Sequence, residues 1–197
     1  FPRISIMNEL EINVSEFLRT GFDLKRHLSK YLGLNQEELD GLLSKGAENM
    51  SSLHPGSFDK EQITSFYEGK VGSAHILELA SWHLDSRDYI ADTLRLQDIF
   101  AHGNVLDFGG GIGTHSIAAA SLPDVKHVFF VDLNPENRMF VKDRAKDLGL
   151  EETISVYRDL ESTADVDFDT IICLDVLEHL PNPSGQLLNF LDRMKPS

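Results

Sequence analysis

Residues 104–120, NVLDFGGGIGTHSIAAA, limit the possible folds more than any other part of the chain. An apolar run that ends at Phe108 is followed at once by Gly109, Gly110, Gly111 and Gly113. Glycine adopts positive φ freely and has no Cβ, so such a turn can be tight and its backbone can approach a ligand closely. The stretch therefore predicts a buried strand, a glycine turn and the start of a helix.

Two polar residues flank this turn. Thr114 can cap the helix that follows, whose first backbone N–H groups favour an anionic or carboxylate-bearing group. Asp107 lies at the carboxyl end of the strand, where open α/β sheets bind their ligands. We therefore expect a ligand-binding site at this turn.

The spacing of the glycines indicates which ligand to expect. A dinucleotide fingerprint requires G-x-G-x-x-G, and from Gly109 its third glycine would fall at Thr114. The pattern present is D-x-G-x-G-x-G, formed by Asp107, Gly109, Gly111 and Gly113. It resembles motif I of the class I S-adenosylmethionine-dependent methyltransferases.

After this motif the sequence alternates between strand and helix patterns. Further strands are predicted over 126–133, 153–158 and 168–176, and helices over 134–148 and 186–194. This alternation predicts an α/β fold, a Rossmann-like doubly wound parallel sheet with four visible strands.

The part of the chain before the glycine turn carries helix signals and almost no strand signals. Asn35 and Glu38 form a capping box for a helix over 36–45. Gly33 is placed to end a helix over 23–32. A loop is expected over 50–58 and helical periodicity over 59–100.

These patterns divide the chain into two regions. Residues 1–101 form an N-terminal helical region, and residues 102–197 form a cofactor-binding region. The resemblance implies that the helical region acts as a substrate cap.

The resemblance extends from Asn104 to Met194 and rests on polar residues at several strand ends. It implies that Asp132, which closes the second strand, binds both ribose hydroxyls of S-adenosyl-L-methionine. It also implies that Asp159 and Leu160 hold the adenine, and that Leu174, Asp175 and Val176 lie beside the methyl group and the substrate. The implied cofactor-binding residues are Asp107, Gly109, Gly110, Gly111, Gly113, Asp132, Leu133, Asp159, Leu160 and Leu174.

Each of these residues also has a purely structural interpretation. The glycines can form a tight turn without a ligand, and Asp132 can act as a helix cap. Asp159 can stabilise a surface turn, and Asp175 can be structural.

The sequence shows no obvious catalytic residue. If the resemblance holds, the reaction is an in-line displacement in which the protein supplies alignment and excludes water. Asp175, His179 and His115 are candidate bases, and the sequence does not decide among N-, O- and C-methylation. No metal site is expected, because Glu178 and His179 are adjacent on a predicted helix and do not face one site.

Composition restricts the partners. The formal net charge is −14, which repels phosphate backbones and anionic lipid, so a small-molecule substrate is expected rather than nucleic acid or a membrane. A single cysteine, Cys173, excludes an intrachain disulfide, and no apolar run approaches the length of a membrane span. A cytoplasmic location is therefore expected.

In the class I methyltransferases the sheet has further strands after the fourth. The sequence ends before them, so the edge of the fourth strand is expected to be exposed and to favour a homodimer. Two other functions stay open: a module that binds S-adenosylmethionine without catalysis, and an NAD(P)-dependent oxidoreductase, which the glycine spacing disfavours.

Overall fold

The computed structural model describes residues 10–46, 65–70, 72–163 and 166–195. These residues form eight α-helices: α1 Val14–Thr20, α2 Leu24–Leu32, α3 Gln36–Leu43, α4 Gly72–Asp85, α5 Arg87–Phe100, α6 Thr114–Ala120, α7 Pro135–Asp147 and α8 Pro183–Arg193. Short 3-10 turns lie at Glu161–Thr163 and Leu177–His179, and a π-helical turn lies at Phe66–Lys70. The expected loop over 50–58 and the beginning of the helical stretch over 59–100 fall outside the described residues.

Four parallel strands form the central sheet: β1 Gly103–Phe108, β2 Val125–Val131, β3 Ile154–Tyr157 and β4 Thr170–Ile172. Their order in the sheet is β3-β2-β1-β4. The chain therefore reverses its direction of winding between β1 and β4, and the carboxyl ends of those strands are where such sheets bind ligands. The predicted Rossmann-like α/β fold is confirmed.

Both faces of the sheet are covered. On one face, Val105, Val128 and Phe130 share an apolar core with residues of α1, α5, α6 and α7. On the other face, Leu106, Phe129 and Val131 pack with Phe168 and with Phe190 of α8. Alternate residues of each strand thus point to opposite faces, as the pleat requires.

Helix α3 begins, and helix α2 ends, where the sequence signals indicated, whereas α3 ends at Leu43 instead of residue 45. Asn35 Oδ1 accepts from the Glu38 N–H at 3.0 Å, and Glu38 Oε2 accepts from the Asn35 N–H at 2.8 Å, which completes the capping box. Gly33 ends α2 in the left-handed conformation, with φ +67°. Helix α1 was not predicted, although its Phe17 is 1% exposed in the core that covers β1.

The fourth strand is shorter than predicted. Pairing with β1 stops at Ile172 instead of continuing to residue 176. The backbone then leaves the sheet direction, because Asp175 adopts a left-handed φ of +54° and the 3-10 turn follows. The residues expected at the end of a long strand therefore lie on a connecting segment.

The outer edge of β4 is partly paired by the segment that follows α8. Phe168 donates its N–H to the Arg193 carbonyl at 2.8 Å, and Lys195 donates its N–H to the Phe168 carbonyl at 2.9 Å. This forms a parallel bridge between Phe168 and Met194. Among the residues described, no helix combines the length and apolar character needed to cross a bilayer.

Candidate functional site

The glycine turn is confined by side chains from two directions. A Cβ added to Gly109, which has φ +71°, would lie 2.5 Å from Cγ2 of Val176. A Cβ added to Gly111 would lie 3.0 Å from Cδ1 of Leu79, on α4. The turn therefore needs glycine both for its backbone conformation and for the close packing around it.

The prediction that Thr114 caps α6 was wrong. Gly113 is the N-cap residue, in a left-handed conformation, and no side chain bonds from the cap position. Thr114 is instead the first helical residue, and its buried hydroxyl has no hydrogen-bond partner. The left-handed N-cap is the reason, because it places Thr114 inside the helix rather than before it.

Asp107 takes over the capping role. Its carboxylate is buried at 3% exposure and accepts from the Ser116 hydroxyl at 2.6 Å and from the Ser116 backbone N–H. Burial raises the pKa of Asp107 to about 6. The side chain that was expected to bind the cofactor therefore faces the first turn of α6.

Asp132 lies where the sequence placed it, with its carboxylate against the glycine turn. Its Oδ2 accepts from the Gly111 N–H at 3.0 Å, and its Oδ1 accepts from the Asn134 N–H at 2.8 Å. Burial raises the pKa of Asp132 to about 6, against the opposing effect of these hydrogen bonds. Arg138 donates to the carbonyls of Asp132 and Leu133, both at 2.7 Å, which fixes the chain at this strand end.

Most amides of the turn already have partners. The N–H groups of Gly109 and Gly110 both donate to the Val131 carbonyl, at 2.8 and 3.3 Å, and the Gly113 N–H donates to the Gly110 carbonyl at 2.8 Å. The turn therefore contributes shape and close backbone approach more than free N–H donors.

Asp159 and Leu160 are engaged by their own surroundings. Asp159 Oδ1 accepts from the Ser162 N–H at 2.9 Å, and its Oδ2 pairs with Arg158 at 2.6 Å. Leu160 is 7% exposed in the core between the sheet and α8. The turn interpretation of Asp159 thus describes contacts that are present, and Leu160 offers little surface to an adenine ring.

The segment after β4 presents exposed residues at the carboxyl end of the sheet. Leu174 is 36% exposed, and Asp175 lies with its two carboxylate oxygens 3.4 and 3.5 Å from the Tyr89 hydroxyl. Tyr89 in turn packs edge to face against Trp82, with ring centroids 5.9 Å apart. His179 is exposed in the following 3-10 turn.

His115 is placed between helices. Its Nε2 lies 2.9 Å from the Thr93 hydroxyl on α5, and its carbonyl accepts from the Gln97 amide at 2.8 Å. Burial lowers the pKa of His115 to about 3. The Nε2 atom is thus already engaged by α5.

Two buried polar residues were missed by the sequence analysis. Asn137 and Arg144, both on α7, are 0% exposed. Asn137 donates its amide N–H groups to Asp132 Oδ2 at 3.3 Å and to His75 Nδ1 at 3.2 Å. The one available signal in the sequence was a polar residue on the predicted buried face of α7.

Arg144 connects the glycine turn to the N-terminal helices. Its guanidinium donates to the Ile112 carbonyl at 2.8 Å, to the carbonyls of Gly21 and Phe22 at 3.3 and 3.1 Å, and to His27 Nδ1 at 3.2 Å. Burial lowers the pKa of Arg144 to about 9. A single cation thus satisfies several buried acceptors at the junction of α1 and α2.

Burial lowers the pKa of five of the histidines in the described part of the chain, and for four of them the shift is large. Burial lowers the pKa of His27, His75 and His83 from 6.5 to about 4, and that of His115 to about 3. In the unfolded chain these rings take up protons near pH 6.5, so the unfolded state binds more protons between about pH 6.5 and 4. Their contribution to stability is present above that window and is lost as the pH falls through it.

Asp107 and Asp132 act in the opposite direction. Because burial raises both pKa values from 3.8 to about 6, the folded state binds more protons at these two sites between pH 6 and 4. The proton uptake of these two carboxylates in the folded state therefore offsets the pH dependence that two of the four strongly shifted histidines produce.

We expect the free energy of unfolding to fall by about 2 kcal/mol or more between pH 7 and pH 5, because each net proton changes it by about 1.4 kcal/mol per pH unit. Urea unfolding at the two pH values measures this change. Replacement of His115 by asparagine should lower the slope of the free energy of unfolding against pH by the amount that corresponds to about one bound proton. A free energy of unfolding that stays level or rises toward pH 5 would contradict this account.

Within the described part of the chain, no group of three His, Cys, Asp or Glu residues is arranged to hold a metal ion.

Comparison with known proteins identifies relatives over most of the chain. A family model described as a methyltransferase domain matches residues 81–197. The mitochondrial ubiquinone biosynthesis O-methyltransferase of Schizosaccharomyces pombe is 24% identical over 163 residues, which cover 80% of this chain and 57% of that protein. The protein of the same name from Saccharomyces cerevisiae is 38% identical over 96 residues, which cover 47% of this chain and 30% of that protein.

The chain thus spans little more than half the length of the first of these relatives, and less of the second. Among solved structures, an O-methyltransferase from Bacillus cereus in complex with SAH aligns with a TM-score of 0.44 at 15% identity. That alignment covers 91% of this chain and 71% of the other.

Proposed function

The chain belongs to the family of methyltransferase domains, and on this premise we propose that it transfers a methyl group from S-adenosyl-L-methionine to a small molecule. The observation that carries the proposal is the contact between the Asp132 carboxylate and the Gly111 N–H at 3.0 Å. It brings a carboxylate and a glycine turn together at the carboxyl ends of adjacent strands, where sheets of this kind bind nucleotide ligands.

The residues present fit an adenosyl cofactor. Asp132 Oδ1 accepts one hydrogen bond from Asn134 and keeps a lone pair for a ribose hydroxyl. The glycine turn leaves no room for a Cβ at Gly109 or Gly111, because Val176 and Leu79 lie against it. These two apolar side chains would exclude water from a ligand bound against the turn.

When bound, the cofactor supplies an electrophilic methyl group on a sulfonium, and the protein aligns an acceptor atom with it. Of the candidate bases, we assign Asp175 to the acceptor. Asp175 is exposed on the segment that follows β4, whereas His115 is half-buried and its Nε2 already contacts the Thr93 hydroxyl of α5. A carboxylate oxygen of Asp175 would take the proton of an acceptor hydroxyl, and Tyr89 is placed to orient that carboxylate.

The cofactor set that we propose is the one that the sequence indicated, with two changes of role. Asp107 holds the first turn of α6 through its hydrogen bond with Ser116 and does not contact the cofactor directly. Leu160 packs in the core beneath the site. Leu133, Asp159 and Leu174 keep their assigned roles as proposals.

The curated relatives are named O-methyltransferases, and we propose an oxygen acceptor on that basis. Their names place them in mitochondria, whereas the sequence analysis favoured the cytoplasm. Cell fractionation with an antibody against the chain distinguishes the two locations.

We also propose that the protein self-associates beside the edge of β4. Leu187, Leu188 and Leu191 of α8 are 48, 62 and 65% exposed, and α8 leads into the segment that pairs with that edge. Sedimentation velocity over a range of concentrations tests this, and a monomer at all of them would refute it.

Calorimetric titration of the chain with S-adenosylhomocysteine and, separately, with NADH tests the cofactor. We expect binding of the first ligand and no binding of the second. Binding of NADH alone would favour an oxidoreductase. Binding of S-adenosylhomocysteine, with no transfer of label from methyl-labelled S-adenosylmethionine to small phenols and amines, would favour a binding module.

A further inference from the structure

Resting on the proposed function, we infer that the two ribose hydroxyls of the cofactor are bound by two residues, one by Asp132 and the other by the side-chain carbonyl of Asn137. The sequence resemblance assigned both hydroxyls to Asp132 alone. The hydrogen bonds that the protein already makes to Asp132 leave too few acceptor positions for that assignment.

An ionised carboxylate offers about four lone-pair positions. In Asp132, Oδ2 accepts from the Gly111 N–H at 3.0 Å and from the Asn137 amide at 3.3 Å. Oδ1 accepts from the Asn134 N–H at 2.8 Å. Three positions are therefore taken by the protein itself, and one hydroxyl can be accepted at Oδ1.

Asn137 supplies the missing acceptor. It is 0% exposed, and its Oδ1 is a buried oxygen without a hydrogen-bond partner. A buried carbonyl left unpaired costs free energy, commonly about 1–3 kcal/mol. Its amide nitrogen lies 3.3 Å from the Asp132 carboxylate, so the unpaired oxygen belongs to the same small site.

The orientation of the Asn137 amide follows from its neighbours. Its nitrogen meets two acceptors, Asp132 Oδ2 at 3.3 Å and His75 Nδ1 at 3.2 Å. The Asn134 amide also donates to His75 Nδ1, at 3.3 Å, so that ring nitrogen acts as an acceptor. Rotating the Asn137 amide by 180° would bring its oxygen against a carboxylate and a ring lone pair, which is unfavourable.

Helix α4 therefore takes part in the cofactor site through His75. The His75 ring accepts from the Asn137 amide and so fixes the direction of the Asn137 carbonyl. That region contributes to cofactor recognition as well as to any contact with substrate.

The test is calorimetric titration of the full chain with S-adenosylhomocysteine and with its 2′-deoxy and 3′-deoxy analogues. In the wild type we expect loss of the hydroxyl that Asn137 accepts to weaken binding about fivefold, the usual effect of one neutral hydrogen bond. Loss of the hydroxyl that Asp132 accepts should weaken binding by about 10-fold or more, because that bond is charge-assisted. In Asn137→Leu, S-adenosylhomocysteine should bind about fivefold more weakly, and one of the two deoxy analogues should lose nothing further.

In Asp132→Asn, we expect the other deoxy analogue to bind as tightly as S-adenosylhomocysteine does. This complementary pattern separates a direct contact of Asn137 from a role in which it only positions Asp132, because a positioning role would give both variants the same insensitive analogue. The same pattern in both variants, or equal losses for all ligands, would overturn the inference.

Two controls keep the result interpretable. Asn189→Leu makes the same substitution on the exposed side of α8 and should leave all three affinities unchanged. If Asn137→Leu does not fold, Asn137→Ser replaces it in the test. The serine hydroxyl is too short to reach the ligand, so we expect the same pattern of affinities. Failure of the wild type to bind S-adenosylhomocysteine would refute the proposed function instead.

Discussion

Asp132→Ala is expected to weaken the binding of S-adenosylhomocysteine by about 100-fold, equivalent to about 2.7 kcal/mol. The variant loses a charge-assisted hydrogen bond to a ribose hydroxyl, commonly about 1.5–3 kcal/mol. It also releases the Gly111 N–H and the Asn137 amide from their shared acceptor. Isothermal titration calorimetry at pH 8, where the carboxylate is ionised, measures the change.

Asp124→Ala is the matched control for this prediction. Asp124 is an exposed aspartate that directly precedes β2, whereas Asp132 directly follows it. The two substitutions are chemically identical and lie at opposite ends of one strand, so the control should retain wild-type affinity. An Asp132→Ala variant that is folded and binds the ligand within threefold of the wild type would contradict the assignment of this carboxylate.

Arg144→Met is expected to lower the free energy of unfolding by about 3 kcal/mol or more, as when one partner of a buried polar network is removed. Methionine fills a similar volume but donates no hydrogen bond. The carbonyls of Gly21, Phe22 and Ile112 would lose the donor that the arginine supplies. Urea unfolding of the wild type and the variant measures the difference.

The comparison variant is Arg95→Met, in which an arginine that is 45% exposed loses an ion pair with Asp92. Surface pairs of this kind contribute about 0–1 kcal/mol, so the change should be small. Equal effects of the two substitutions would show that the buried network around Arg144 does not stabilise the fold.

The sequence predicted local features of the fold well, because neighbours along the chain determine them. The capping box at Asn35 depends on a residue three positions away, and Gly33 ends α2 through its own φ. The glycine turn between β1 and α6 likewise follows from consecutive residues, and the position of Asp132 follows from the end of an apolar strand.

Features that depend on distant partners could not be predicted. His75 and Asn137 are 62 residues apart, and Arg144 lies 122 residues from Phe22. Their hydrogen bonds exist only once α4, α7 and the N-terminal helices are packed together. The length of β4 was overestimated for the same reason, because the apolar run continues past Ile172 while its pairing with β1 does not.

The roles of several candidate residues changed because burial decides them. Asp107 and His115 have suitable chemistry in sequence, yet one caps α6 and the other packs against α5. Exposure at the end of β4 instead favours Asp175, whose left-handed backbone conformation is uncommon for a residue other than glycine.

The cofactor site at Asp132 and the glycine turn is tested most directly by a crystal structure of the chain in complex with S-adenosylhomocysteine. We expect the ribose to lie against the glycine turn, with one hydroxyl within hydrogen-bond distance of an Asp132 carboxylate oxygen. A ligand bound elsewhere, or a ribose whose hydroxyls point away from Asp132, would contradict it.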